Sequence, residues 1–301
     1  QSDLSIRITT GELKHAGKVY RNVDASVVKE GGVLRIPSAK FQTVNGLTVH
    51  ASGRVTTATE RPVGIISYEL DAPTREAVKD ATELFAISKL LPEENTAAAT
   101  AAKIAGLVKL GGRSKTATDI TFDGVVNGAR IAGRAEFDAG FKSWRTAPSH
   151  ISAVVKSPDI NTALGVMRVA RAKLDGLEAR PVETAFAVSG KLAEQSVALF
   201  DIKAEGLDVT MNGTYRMPES GVSSFDGVVA LKGQDAREVL ALAGLPAPGG
   251  LSGTAISGKI DVSGKGASVE LVTQGLKAGE SRLTGRATIT KTDGATPEAG
   301  A

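Results

Sequence analysis

Leu47-Thr48-Val49-His50-Ala51-Ser52-Gly53-Arg54-Val55 is the stretch whose reading decides the fold. It returns as Ala129-Arg130-Ile131-Ala132-Gly133-Arg134-Ala135, as Val209-Thr210-Met211-Asn212-Gly213-Thr214-Tyr215, and as Ser281-Arg282-Leu283-Thr284-Gly285-Arg286-Ala287. The four glycines lie 80, 80 and 72 residues apart. A fixed period of this length marks a repeat architecture.

Two residues before each glycine stand Ala51, Ile131, Met211 and Leu283; two after stand Val55, Ala135, Tyr215 and Ala287. Side chains of a strand alternate between faces, so these share one face with the glycine. The other face carries Ser52, Ala132, Asn212 and Thr284, then Arg54, Arg134, Thr214 and Arg286. One apolar and one wet face predict a half-buried antiparallel strand. A glycine on the apolar face leaves a notch, allows a bend, or lets something approach the backbone closely.

A second pattern keeps step with the first. Ile66-Ser67-Tyr68-Glu69-Leu70-Asp71-Ala72-Pro73 resembles Ile151 to Pro158, and Gly227-Val228-Val229-Ala230-Leu231-Lys232-Gly233 matches both. Each reads as a strand running into a helix, with Pro73 and Pro158 in the first helical turn. Asp235 and Glu238 have the spacing of a capping box. The helices carry apolar residues at helical spacing: Val78, Ala81 and Phe85; Ala163, Met167, Ala170 and Leu174; Ala236, Val239, Leu240 and Ala243. Gly176 and Gly244, with Pro246, end the second and third. The Ala-rich run from Glu93 to Gly112 has helical propensity and apolar Ile104, Leu107, Val108 and Leu110, which predicts a second helix or an amphipathic lid.

The chain therefore divides into repeat 1 (1–92, strands plus helix), an Ala-rich helical insert and linker (93–117), repeat 2 (118–178), repeat 3 (179–248) and a partial repeat 4 (249–290), with a disordered tail (291–301). The fold class is mainly β with short α-helices: repetitive antiparallel strands in one long twisted sheet, helices between repeats. Aromatics make up only 4% of the chain, and Trp144 is the sole tryptophan, which suits a thin sheet rather than a thick core.

The 36 basic and 33 acidic residues are interspersed, and basic residues are not interleaved with aromatics, which argues against nucleic acid as a partner. With no cysteine, disulfides, thiolate zinc sites and iron–sulfur clusters are excluded. No run reaches the roughly 18–20 apolar residues of a transmembrane helix. The three histidines, His15, His50 and His150, have no metal-site spacing. Glu93-Glu94 reads as a polar turn, and Asn212-Gly213-Thr214 matches a glycosylation sequon. Gly111-Gly112-Arg113-Ser114-Lys115 lacks phosphate-loop spacing and reads as a helix stop. No nucleophile elbow occurs. The expectation is a non-catalytic protein with no cofactor and no metal.

Gly11-Glu12-Leu13, Gly17, Arg21-Asn22-Val23-Asp24-Ala25-Ser26-Val27, Gly31-Gly32-Val33-Leu34-Arg35-Ile36 and the Gly46–Val55 sequel together resemble the AsmA family. So does Ile256-Ser257-Gly258-Lys259-Ile260-Asp261-Val262-Ser263-Gly264-Lys265-Gly266, and the resemblance covers most of residues 4–290. It implies a twisted sheet curled into a gutter with an apolar inside. It further implies a bridge-like lipid-transfer protein of the Gram-negative envelope: periplasmic, anchored in the inner membrane by a helix this chain lacks, and serving outer-membrane biogenesis. Its partners would be phospholipid or another envelope lipid, and envelope or outer-membrane proteins.

The lipid-binding face would then be the repeated stripe: Val49, Ala51 and Val55; Ile131, Ala135 and Phe137; Leu207, Val209, Met211, Tyr215 and Met217; Leu283, Ala287 and Ile289. Each buried lipid CH₂ gains roughly 0.8 kcal/mol, so an acyl chain needs no specific residue. The competing readings are that these side chains bury against the helices and an opposing sheet, or that the protein is a β-rich scaffold for outer-membrane protein assembly, pairing strands at an exposed edge.

Overall fold

Alternating sequence of this kind can satisfy its backbone only by strand pairing, and the chain pairs each strand with its neighbour in sequence. A computed structural model of the protein describes residues 3–56, 61–84, 100–112, 114, 116–167, 180–218, 221–242, 249–290 and 298–300. The chain forms two units, Gln1–Lys142 and Ser143–Ala301.

The first unit contains β1 (Leu4–His15), β2 (Lys18–Glu30), β3 (Val33–Thr43), β4 (Thr48–Thr56), β5 (Val63–Ala72), helix α1 (Arg75–Leu84), β6 (Ala102–Leu110), β7 (Thr118–Val126) and β8 (Ala129–Phe137). These eight strands pair consecutively and antiparallel. The second contains β9 (Ser149–Ser157), α2 (Ile160–Met167), β10 (Val182–Lys191), β11 (Gln195–Ala204), β12 (Leu207–Arg216), β13 (Ser224–Gly233), α3 (Ala236–Leu242), β14 (Ile256–Lys265), β15 (Ser268–Ala278), β16 (Ser281–Thr290) and β17 (Glu298–Gly300). Its nine strands pair in the same way. All four glycine motifs fall on strands, β4, β8, β12 and β16, and the fold is mainly β with short helices.

Local chemistry sets the turns. Asn127 (φ 52°) and Gly128 (φ 84°) close the β7–β8 hairpin in the left-handed geometry that an Asn-Gly pair favours. The Asn127 side chain also accepts hydrogen bonds from the Thr100 and Ala101 amides, at 2.7 and 3.2 Å, which fixes the entry to β6. In β3 the register shifts between Ile36 and Ala39. Pro37 lies in that irregularity, where a missing N–H is tolerated, and the shift moves the inward set from Leu34 and Ile36 to Ala39 and Phe41.

The helix predicted across the Ala-rich insert is corrected over Ala102–Leu110, which is strand β6. Its burial alternates with period two, Ile104 and Val108 inward, Lys103 and Lys109 outward, and pairing on both sides outweighs local helix propensity. Gly111-Gly112 therefore leads out of a strand toward β7, not out of a helix, and Gly111 takes φ 71° to make that turn. Glu93 and Glu94 lie outside the described residues, as do Phe85, Ala170, Leu174, Gly176, Ala243, Gly244 and Pro246. Of the tail, Glu298–Gly300 pairs with β16 as β17, and 291–297 and 301 lie outside the described residues.

The three helix starts share one construction, at Asp235 as the capping-box spacing predicts and in the first two helices later than the prolines predict. Thr74, Asp159 and Asp235 are the N-caps, their side chains accepting from the amides of Ala77 (3.1 Å), Thr162 (2.7 Å) and Arg237 (2.9 Å). Pro73 and Pro158 therefore precede the cap, because a side-chain acceptor is needed at the position after them. Glu238 does sit three residues after Asp235, but its carboxylate receives Arg180 at 2.8 Å.

Candidate apolar groove

The register carries the apolar face straight across each unit. In the first, β4 to β8 align Ala51, Tyr68, Gly106, Phe122 and Gly133 in one row, and Gly53, Ile66, Val108, Ile120 and Ala135 in the next. All ten are half-buried. The ends of these strands are closed. At one end α1 lays Ala77 and Val78 on Leu47, Val49 and Ala72, with Phe41, Leu70, Ala81 and Ala102 around them. At the other, Val55, Thr118 and Phe137 are buried, and Phe137 meets Phe141 edge-on at 5.4 Å.

In the second unit one row runs Ala153, Phe186, Phe200, Met211, Val229 and Ile260. The next runs Ile151, Val188, Ala198, Gly213, Gly227, Val262, Leu271 and Ala287. Helix α2 packs on β9 and β10, and α3 on β13, both toward one end of the strands. There Val155, Ile160, Ala163, Leu231, Val239 and Ile256 form the buried packing. In each unit the helices cap one end of the face and leave its middle half open.

Glycines crease the sheet. A Cβ at Gly53 would stand 2.3 Å from the Ile65 carbonyl oxygen, and one at Gly64 2.2 Å from that of Arg54. Gly213 and Gly227, paired with one another, make such contacts reciprocally, with Asp226 O and Asn212 O, both 2.4 Å. Neighbouring backbone occupies the space a side chain would need. Aromatic rings fill what remains of the notches: Phe225 lies over Gly213 and Gly227, and Tyr68 lies over Gly106. The Tyr68 hydroxyl donates to the Thr121 carbonyl at 3.1 Å, and burial pushes its phenol above the ordinary value. A hollow of about 420 Å³ is lined mainly by His50, Ser52, Ser67, Glu69, Ala105 and Leu107, which alternate onto the outward face, and another of about 250 Å³ lies among Leu13, His15, Tyr20, Val23, Phe41 and Leu84.

The structure sorts the stripe residues into three groups. Val49 (5% exposed), Val55 (8%), Phe137 (4%) and Leu207 (2%) are core, and Val49 lies beneath α1, out of reach of a ligand. Ala51, Ile131, Ala135, Val209, Met211, Tyr215, Ala287 and Ile289 are half-buried on the apolar face. Met217 lies just beyond β12, its amide bonded to the Leu192 carbonyl at 2.6 Å, and Leu283 is 42% exposed. β5 to β7, which complete the face with Ile66, Tyr68, Ile104, Val108, Ile120 and Phe122, were absent from that stripe. Their alternation is readable in the sequence, but at β6 the helical propensity of the Ala-rich run obscures it.

The opposite face is charged. Arg130–Asp123 (3.2 Å), Lys156–Glu183 (2.9 Å) and Arg286–Glu270 (2.9 Å) are solvent-exposed pairs of small energetic weight. His50 is exposed there, and the His150 Nδ1 lies 2.6 Å from the Ser189 hydroxyl. Among the described residues no three His, Asp or Glu side chains are grouped to hold a metal, and no helix is long and apolar enough to cross a membrane. Compared with protein-family models, curated proteins and solved structures, the chain matches none.

Proposed function

We propose that this chain is a non-catalytic lipid-binding or lipid-transfer module that lays phospholipid acyl chains along the apolar face of its curled sheets. The observation that carries the reading is the half-buried middle of that face. Rows of aliphatic and aromatic side chains, interrupted only by glycines, run across five or more strands, and the helices cover only one end of those strands. A face with no charged side chain in these rows offers dispersion and desolvation but no directed chemistry, which suits an acyl chain. The setting that follows from the AsmA resemblance is the periplasm, in a protein anchored in the inner membrane and serving the lipid balance of the outer membrane.

One observation favours a second reading, a β-rich scaffold assisting outer-membrane protein assembly. Strand β1 pairs only with β2 among the described strands, and it exposes Leu4 (53%), Ile6 (43%) and Ile8 (43%) over a 12-residue edge that an incoming strand could extend.

The deciding experiment is native mass spectrometry of gently purified protein with organic extraction. Stoichiometric co-purified phospholipid is the expected result. A clean apo mass with no uptake from added liposomes overturns the lipid reading in favour of the scaffold.

A further inference from the structure

On the charged face of the second unit, one row of the register carries Lys203, Asp208, Lys232, Ser257 and Lys277 on five consecutive strands, β11 to β15. The row lies at the strand ends, where the Gly206 and Gly279 turns and Gln234 enclose a hollow of about 530 Å³. All three lysines line that hollow. Among the described residues none of the three ammonium groups is engaged in an ion pair or hydrogen bond, although Asp208 stands opposite both Lys203 and Lys232. Other cations of this face do find partners: Lys156 with Glu183 in the continuation of the same row, and Arg286 with Glu270.

We propose that this rim binds a phosphate ester whose alcohol part carries hydroxyl groups. Strands two apart are separated by about 10 Å, a gap that two four-carbon lysine stems can close on a single phosphate. On β10 Glu183 also stands opposite Lys203, but Lys156 engages it at 2.9 Å, so the three lysines face Asp208 with a surplus of positive charge, and Lys is a point-charge binder of phosphate. The Ser257 hydroxyl and the Gln234 amide, which lies across Gly206, supply neutral donors in the same hollow. Asp208 sits between two cations as the acceptor for an alcohol hydroxyl, which sets a phosphate ester apart from bare phosphate. The ester can be the headgroup of an anionic phospholipid or a free glycerol phosphate. The site stands on these residues whether or not the apolar face holds acyl chains.

The test uses the full chain and three probes: glycerol 3-phosphate and inorganic phosphate by titration calorimetry, and phosphatidylcholine vesicles with or without phosphatidylglycerol by co-sedimentation. The triple variant K203Q/K232Q/K277Q is expected to weaken ester or anionic-vesicle binding by about a hundredfold, since each lysine near an anionic surface contributes a severalfold factor. The control K40Q/K103Q/K109Q removes as much charge from the outer face of the first unit and is expected to leave binding nearly unchanged. Unchanged far-ultraviolet circular dichroism in both variants excludes misfolding. Binding of free glycerol 3-phosphate identifies the free ester as a source, and binding of phosphatidylglycerol vesicles alone identifies the headgroup; both support the site. Equal losses in the two triple variants, or no binding of any probe by the unmodified protein, overturn it. Failure of the acyl-chain reading is separately visible as an absence of co-purified lipid with ester binding intact.

Discussion

Gly213 of β12 and Gly227 of β13 stand directly opposite one another, each in the space the other's side chain would fill. A Cβ on either would lie 2.8 Å from the Cα of its partner and 2.4 Å from a carbonyl oxygen of the facing strand. Gly285 holds the equivalent place in the last copy of the motif, yet a Cβ there meets nothing within 4 Å. The repeat has kept the residue while the packing around it differs. Gly213→Ala is therefore expected to cost about 2 kcal/mol, because backbone has to move. Gly285→Ala should lie within about 0.5 kcal/mol of neutral. Urea unfolding of the two variants checks the contrast, and equal losses would refute the crease.

A charge on the apolar face should behave differently at its middle and at its capped end. Met211→Asp places a carboxylate on a half-buried row, where it retains access to water. The fold is expected to persist while co-purified lipid is lost. Val49→Asp puts the same charge beneath α1, 5% exposed in the Leu47–Val78 cluster, where an unpaired charge is very costly and the first unit should unfold. Circular dichroism together with lipid extraction separates the two outcomes.

Thr184 is fully buried near α2, and its hydroxyl has no hydrogen-bond partner among the described residues. Removing an unsatisfied buried hydroxyl at constant shape recovers its desolvation cost. Thr184→Val should raise stability by about 1 kcal/mol, readable as a higher urea midpoint at unchanged m-value.

The N-cap of α3 carries a pH dependence of known sign. The Arg237 guanidinium, bonded to the Asp235 carboxylate at 2.6 Å, holds that group down to about 2 from an ordinary value near 3.8. A folded-state value below the unfolded one gives stability that is complete above about pH 4 and lost as the pH falls toward 2. Asp235→Asn keeps the cap but removes the charge, so its stability should be flatter across that window. Thermal melts of both proteins between pH 5 and pH 2 provide the comparison.

Much of this was legible in the residues, and what was not has physical causes. The four glycine motifs and the existence of the three strand-to-helix joints are legible because alternation with period two and apolar helical spacing are local signals, although the caps at Thr74 and Asp159 fall after the prolines. Strand β6 misread because Ala102–Leu110 sits next to a long Ala-rich run, and its strand character comes from pairing with β5 and β7. The stripe was identified on the glycine strands alone, so Ile66, Val108 and Phe122 on the strands between them went unseen. No sequence signal separated Val49 from Ala51, because covering by α1 is a tertiary event. The lysine row was invisible for the same reason: Lys203 and Lys277 are 74 positions apart and meet only through register.

Consecutive pairing also governs how the protein is made. Within each unit, a strand leaving the ribosome finds the partner for its first edge already synthesised, most often a few residues behind it and otherwise across a longer connection that opens with a short helix. Loop closure is short at most steps, so much of the usual kinetic penalty of all-β topologies, which have to join distant segments, is avoided. Each sheet can zip outward from any early hairpin, in the order in which it is translated. Evolution can lengthen such a ribbon by duplicating a hairpin without redesigning what is already folded.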